Sequence, residues 1–406
     1  MKSVFLSILL FSSICGFSQE RDTLKVMSYN LLNFPGISSH RIDTLKKIVG
    51  HIQPDIFMVC ELTSGAGGDD ILFNALNEDG VSYYDMADYV AGPDTQNQLY
   101  FNSDKLSLYE QNEISTVLRD INEYVLYYNS TDIATTLDTT FFYIYVCHLK
   151  ASMGNEEQRN TEITALKTYL NERPQAENII IGGDFNFYGS DTEPAWNTLL
   201  SGGGVVIKDP IVLPGHWHAD AGFAYAHTQS TRTESFDGGA FGGMDDRFDF
   251  IFVGDDLKTY SNDAIYISGS YRAVGQDGLH YNKSLIEAPT NTSEPSDIIS
   301  ALYHMSDHLP VYLEIEVVKE GAGVEEALIA QFDAFYNVEM DQIEVANMNL
   351  ADGEQSQFLV YSATGQLVAE FDADNAIELL NTQALASGSY ILKLKAHAYS
   401  FRFVKP

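Results

Sequence analysis

Between Arg21 and about Val318, short apolar runs alternate with stretches in which apolar residues recur every three or four positions. Over 41–52, Ile42, Leu45, Ile48, Val49 and Ile52 share one face of a 3.6-residue period, and Pro54 follows, so the spacing predicts a helix. Ile163, Leu166 and Leu170 repeat the pattern over 156–170. Leu24 to Tyr29, Ile56 to Cys60, Gln98 to Phe101, Phe141 to Cys147 and Asn178 to Ile181 read as strands. Alternating strands and helices make an α/β layout, though periodicity alone does not choose among α/β folds.

Two long stretches, 187–246 and 268–304, lack a clear period. Loops of that length are usually functional or disordered, and each of these precedes a chemistry-bearing segment, so both are read as walls of a substrate cleft. Lys319-Glu-Gly-Ala-Gly-Val then reads as a linker. Beyond it the pattern changes to short strands and glycine turns with no clear helix, which predicts a small all-β sandwich over 334–406.

Composition narrows the picture. The 406 residues suffice for a large domain plus a small one, and 45% are hydrophobic, as in a chain with a sizeable core. Lys and Arg number 23 against 57 Asp and Glu, a net charge of −34. Such a surface repels nucleic acid and anionic membranes at long range but leaves local engagement of phosphates open.

Lys2, the apolar run from Val4 to Phe11 and the small residues Ser12, Ser13, Cys15, Gly16 and Ser18 predict a signal peptide over 1–19, cleaved near Gln19. The apolar run is well below the ~20 residues of a membrane span. A lipoprotein signal at Cys15 is disfavoured by Ile14 before it. Secretion or display at the cell surface, without stable membrane insertion, is the expectation. Cys60 and Cys147 each precede a polar residue in a strand and should face the packing layer while that neighbour faces the cleft.

Six segments carry candidate chemistry: Val26-Met-Ser-Tyr-Asn30, Ile56-Phe-Met-Val-Cys-Glu61, Tyr143-Ile-Tyr-Val-Cys-His148, Ile179-Ile-Ile-Gly-Gly-Asp184-Phe-Asn186, Arg247-Phe-Asp249-Phe-Ile-Phe-Val253 and Ser306-Asp307-His308-Leu-Pro. If their strands are neighbours, the polar ends converge on one cleft. Such a set can hold a hard divalent cation by oxygen ligands and activate water beside a phosphate. In a near-extended segment Asp184 and Asn186 share a face, and Gly182 and Gly183 let the backbone turn closely under it.

Taken in order from Asn30 to His308, this set resembles the endonuclease/exonuclease/phosphatase superfamily, which includes pancreatic-type deoxyribonucleases, abasic-site endonucleases, sphingomyelinases and inositol-phosphate phosphatases. The resemblance implies a four-layer α/β/β/α sandwich of two packed mixed sheets over 20–318. It implies a metal-dependent phosphoric-ester hydrolase using Mg²⁺, with Mn²⁺ or Ca²⁺ as alternatives. Glu61, Asn30 and Asp307 would serve the metal. Asp184 would orient and deprotonate the attacking water, and Asn186 would hold water or phosphate. His308 would donate to the phosphate with Asp249 fixing its tautomer and charge; His148 would contact another oxygen or protonate the leaving group.

Lys150, Arg159, Arg272 and Lys283 are candidate phosphate contacts at the rim. His216, His218 and His227 lack further ligands at structural zinc spacing and read as ordinary loop histidines. The Lys150 segment and the loop ahead of Asp249 are similar to the nuclease branch, so the expected substrate is extracellular DNA or RNA, cleaved by a monomer. A sphingomyelinase-type lipid hydrolase, a sugar- or inositol-phosphate phosphatase and an inactive surface-binding protein are the alternatives. The C-terminal segment resembles a type IX secretion sorting domain in Tyr361-Ser-Ala-Thr-Gly365-Gln-Leu, Leu385-Ala-Ser-Gly388-Ser-Tyr390 and the final basic strand, which implies the type IX machinery as partner. A generic adhesive β-module is the competing reading.

Overall fold

The computed structural model describes residues 20–36, 40–130, 133, 139–173, 175–201, 203–259 and 263–319, then 333–337, 342–346, 356–362, 366–373, 378–395 and 400–405. The expected signal peptide, 1–19, and residues 320–332 of the expected linker lie outside these.

In the main unit the strands are β1 Glu20–Phe34, β2 Ile56–Leu62, β3 Tyr84–Met86, β4 Gln96–Asn102, β5 Leu106–Ile114, β6 Ile121–Tyr128 and β7 Phe141–His148. They continue with β8 Ile180–Asp184, β9 Ile207–Lys208, β10 Asp249–Gly254, β11 Ala264–Tyr266, β12 Arg272–Ala273 and β13 Val311–Lys319. One sheet runs β11-β13-β1-β2-β4-β3 with β12 on β13, and the other runs β5-β6-β7-β8-β10-β9. β1 pairs parallel with β2, and β7 with β8, so both sheets are mixed.

Strand alternation divides the apolar side chains among three layers. Leu24, Val26, Ile56 and Met58 of one sheet meet Ile144, Val146, Ile180 and Ile251 of the other. Met27, Tyr29, Phe57 and Val59 point outward against the helices Arg41–Ile52 and Ser296–Met305. Tyr145, Cys147, Ile181, Phe250 and Phe252 point outward against the helices Glu156–Asn171 and Pro194–Leu200. Helices, sheet, sheet and helices therefore form the expected four-layer sandwich.

Two predictions of irregular chain need correction. The stretch 268–304 contains most of the helix Ser296–Met305, which buries Ile298, Ile299, Ala301, Leu302 and Met305. The stretch 187–246 contains the helix Pro194–Leu200 and a 3₁₀ segment, Ala221–Ala226. The two α-helices are short and begin at or just after a proline, which masks their period.

Beyond residue 333 the described segments form small antiparallel sheets. β14 Asp333–Asn337, β15 Gln342–Ala346 and β18 Glu378–Asn381 make one. β16 Ser356–Ser362, β17 Leu367–Ala373, β19 Gly388–Leu394 and β20 Ser400–Lys405 make the other. Ile343, Val345, Phe358, Val360, Leu380, Tyr390, Leu392 and Phe403 form their own apolar cluster. The turn residues 363–365 lie outside the described residues.

Candidate active site

The alternation that builds the inner layer also delivers the site. The inward row of β1, Leu24 and Val26, ends in Asn30; that of β7, Ile144 and Val146, ends in His148. The row of β8 passes through Gly182 to Asp184, and that of β10, read backwards through Val253 and Ile251, ends in Asp249. Register sets His148 opposite Asp184 and Asp184 opposite Asp249, so three polar side chains stand abreast at one end of the sandwich. A Cβ on Gly182 would run into the Met58 thioether of the facing sheet, and one on Gly183, at φ +140°, into the Cys147 carbonyl. Those glycines let the two sheets and β7 close beneath Asp184.

Glu61 departs from this rule. Parity would send it outward with Phe57 and Val59, but its φ of +62° turns the carboxylate to the mouth. Leu32, Asn33 and Asn186 are also left-handed, at φ +47°, +51° and +52°. Such backbone costs about 1–3 kcal/mol per residue and gathers where a functional group must be aimed.

Asn30 binds the mouth together. Its Nδ2 donates to Glu61 Oε1 and to Asp184 Oδ2, both at 3.0 Å, while its Oδ1 accepts from the Leu32 amide. Asn30 thus presents nitrogen, not the oxygen expected of a metal ligand. His148 Nε2 lies 3.8 Å from Glu61 Oε1 and 3.6 Å from Asp184 Oδ2. His308 Nδ1 is 2.7 Å from Asp249 Oδ2, and its Nε2 is 3.7 Å from Asp184 Oδ2. Asn186 donates its backbone N–H to Asp184 Oδ1 at 3.0 Å and its Nδ2 to the Leu149 carbonyl at 3.3 Å.

Burial sets the protonation states. It raises the Glu61 carboxyl above its ordinary value, against the Asn30 bond. It pushes Asp184 up to about 7, opposed by His308 and reinforced by Asp249 and Glu61. Burial also opposes charge on His308, but Asp249, Asp307 and Asp184 outweigh it and hold the imidazole well above its usual range. His148 is driven well below its usual range by burial, then by the Arg119 and His308 cations. It is therefore a neutral imidazole and a poor proton donor to a leaving group, contrary to that sequence expectation.

A divalent cation fits this mouth. Glu61, His148 and Asp184 each offer a ligand atom within 4.8 Å of the others. One buried and one partly buried carboxylate, both with raised proton affinity, are the environment in which a cation replaces a proton. Asp307 is outside this tight set. Its Oδ2 accepts from the Ala240 amide at 2.6 Å, but its Oδ1 is buried with no hydrogen-bond partner. That orphan oxygen keeps Asp307 a fitting neighbour for a cation.

The rim differs from expectation. Arg159 is fully buried, paired with Glu193 at 2.7 Å and donating to the Lys150 and Ser152 carbonyls. It braces the chain after His148 and cannot meet a phosphate. Arg272 is committed to Glu294 and lies over the Tyr312 ring in the outer helical layer. Lys283 donates its Nζ to the Ala288 carbonyl at 2.9 Å, and no contact ties it to the mouth among the described residues. Lys150 stands two residues past His148 at the rim, its backbone N–H on Glu162. Cys60 faces the inner core and donates Sγ–H to the Cys147 carbonyl at 3.3 Å, while Cys147 faces the outer layer; both thiols are free.

Two residues went unread in the sequence. Arg119 sets Nη1 2.8 Å and 2.7 Å from the two ring nitrogens of His148. Its only sequence signal is a lone cation just before β6 in an acidic chain. Gln229 places Nε2 2.6 Å from His308 Nε2 and bridges by backbone to both Asp246 and His308. A cationic His308 requires the Gln229 carbonyl there, the alternative setting of a near-isosteric amide. It sits in the long irregular stretch, which does wall the cleft as expected, but no period marked the residue.

With this geometry in hand, residues 27–308 match the model of the Endonuclease/Exonuclease/phosphatase family. No curated protein matches the chain. Among solved structures, TDP2 of D. rerio complexed with single-strand DNA product is 14% identical, with 72% of this chain and 98% of that chain covered and a TM-score of 0.49. The catalytic domain of human nocturnin with bound sulfate is 14% identical over 73% and 97%, TM-score 0.44. A mannosyl-6-phosphatase of Bacteroides thetaiotaomicron is 17% identical over 72% and 99%, TM-score 0.44. These likenesses carry no weight in the assignment, which rests on the family model. That model spans every residue of the mouth from Asn30 to His308, and the chain belongs to the Endonuclease/Exonuclease/phosphatase family as a phosphoric-ester hydrolase.

Proposed function

We propose that the protein is a secreted, Mg²⁺-dependent phosphodiesterase that hydrolyses extracellular DNA or RNA. The observation that carries the reading is the convergence of Glu61, His148 and Asp184 with the Asp249–His308 pair at one end of the inner layer. Glu61 and Asp184, with the orphan oxygen of Asp307, would hold the cation. Bound there, it would neutralise charge developing on a phosphoryl oxygen and acidify a nearby water. Asp184, beside that cation, would orient the attacking water and take up its proton. His308, held cationic by Asp249 through Nδ1, would donate its Nε2–H to a non-bridging oxygen that takes the place of the Gln229 amide. Neutral His148 donates one N–H to a second oxygen, and Arg119 beside it supplies positive charge at the same edge. Asn30 keeps the two carboxylates in place through its paired donors.

Arg119, beside His148, and Lys150, two residues past it, place positive charge near the mouth, which suits a phosphate-bearing polyanion. The test is the purified protein with Mg²⁺ against plasmid DNA, RNA, sphingomyelin and a sugar phosphate. Cleavage of DNA or RNA ahead of the others is expected; hydrolysis confined to sphingomyelin or the monoester would replace the reading.

A further inference from the structure

His218 is not part of the catalytic mouth, and the spacing of nearby histidines offered it no partners. The fold supplies them from the segment leading into β10. The Trp217 indole donates to the Phe187 carbonyl at 2.7 Å, and the His218 amide donates to the Tyr188 carbonyl at 3.1 Å, so the backbone on both sides of His218 is fixed. Asp245 and Asp246 are held by their amides on the Gln229 carbonyl at 2.9 and 3.0 Å, and Asp245 accepts from the Ala219 amide at 2.9 Å. These bonds bring His218 Nδ1 to 2.7 Å from Asp246 Oδ1. His218, Asp245 and Asp246 each offer a ligand atom within 4.8 Å of the others. The His218 side chain is 26% exposed, so an ion reaches it from solvent. Among the described residues neither carboxylate has an ion pair with Lys or Arg.

We propose that His218, Asp245 and Asp246 form a second divalent-cation site, distinct from the catalytic mouth and suited to Mn²⁺ or Zn²⁺. One imidazole with two carboxylates matches those ions, whereas Mg²⁺ prefers oxygen and water alone. The cation takes the place of the hydrogen bond between His218 Nδ1 and Asp246 Oδ1, the imidazole binding it as a neutral ligand. Ligands at ~2.0–2.1 Å from a tetrahedral ion lie ~3.3 Å apart, so the pair opens slightly to admit it. The bound ion ties the 216–219 segment to 245–246, one backbone bridge from Gln229, whose side chain meets His308. It braces a wall of the cleft and takes no part in bond breaking.

The experiment is anomalous diffraction from crystals of the full chain soaked in Mn²⁺ or Zn²⁺, with calorimetric titration of Mn²⁺ in solution. Wild type should take two ions per chain, one of them beside His218. H218A and D245N should each take one, and a Mn²⁺-induced rise in melting temperature above that given by excess Mg²⁺ should vanish in both. Should H218A fail to fold, D245N, at a partly buried carboxylate, carries the test. One ion per wild-type chain, no anomalous peak at His218, or two ions in a folded D245N would overturn the site. None of these outcomes depends on which ester the catalytic mouth hydrolyses.

Discussion

Asp249 and His308 are the pair on which the electrostatics of the mouth turn. Asp249 is the largest of the charges that keep His308 protonated against burial. Asp249→Asn removes it, so the His308 pKa falls and the alkaline limb of the pH–rate profile should move to lower pH. His308→Ala should lose about 10²–10³ in rate, the worth of one preorganised transition-state donor. An unmoved alkaline limb in the first variant would mean that His308 does not act as a cation. Most of the mouth could be read from sequence because each polar residue closes an alternating row: Asn30, His148, Asp184 and Asp249 follow from parity alone. Glu61 was legible by type but not by direction, since a left-handed φ overrides parity. The rim cations were not legible. A sequence shows that Arg159 is charged, not that Glu193 holds it inside the fold.

At the scale of elements, the closest fit lies where β8 meets β7. Gly183 carries φ +140° and has no room for a Cβ beside the Cys147 carbonyl. Gly183→Ala should destabilise the fold by more than the ~1 kcal/mol of an ordinary glycine replacement, because backbone must move under Asp184. Chemical denaturation of the variant against wild type checks this, and an unchanged midpoint would mean that β7 and β8 have slack. The long helices were visible because 41–52 and 156–171 keep an apolar period over several turns. Ser296–Met305 was hidden behind Pro295 and an adjoining polar stretch, Thr290-Asn-Thr-Ser-Glu294, although its buried face is apolar. Pairing order was not available from composition at all. The register that puts His148, Asp184 and Asp249 abreast comes from long-range β contacts.

For the whole molecule, protons and cations compete for the mouth. Asp184 is raised from 3.8 to about 7, so the stability it contributes is complete below its unfolded value and lost as pH rises through about 7. Glu61 and His308 are raised too and act in the same direction, His308 at higher pH. His148, held low, acts the other way as pH rises to its unfolded value of 6.5, so the metal-free melting temperature should fall most clearly between about pH 6.5 and 8, and Asp184→Asn should flatten part of that fall. Mg²⁺ should restore more stability at pH 8 than at pH 5, because the carboxylates are then already ionised. Equal Mg²⁺ stabilisation at both values, followed by scanning fluorimetry, would contradict this.

The C-terminal sheets have their own apolar cluster, drawn from Ile343 onward, with no member of the mouth among them. Truncation after residue 319 should therefore keep hydrolysis and, if the tail is the sorting signal we infer, leave the protein in the periplasm. Normal export of the truncated chain would make the tail an adhesive or structural module instead.

The measurement closest to the central claim is a Mg²⁺ titration of phosphodiester hydrolysis by wild type and Glu61→Gln at the same pH. Glu61 is a partly buried carboxylate whose proton affinity is raised and whose neighbours are Asn30, Asp184 and His148. The account predicts no hydrolysis by wild type without divalent cation, and a Mg²⁺ requirement at least ~10-fold higher in a variant that still folds. Equal activity of the two proteins at limiting Mg²⁺ would contradict the claim that this mouth binds the ion and works through it.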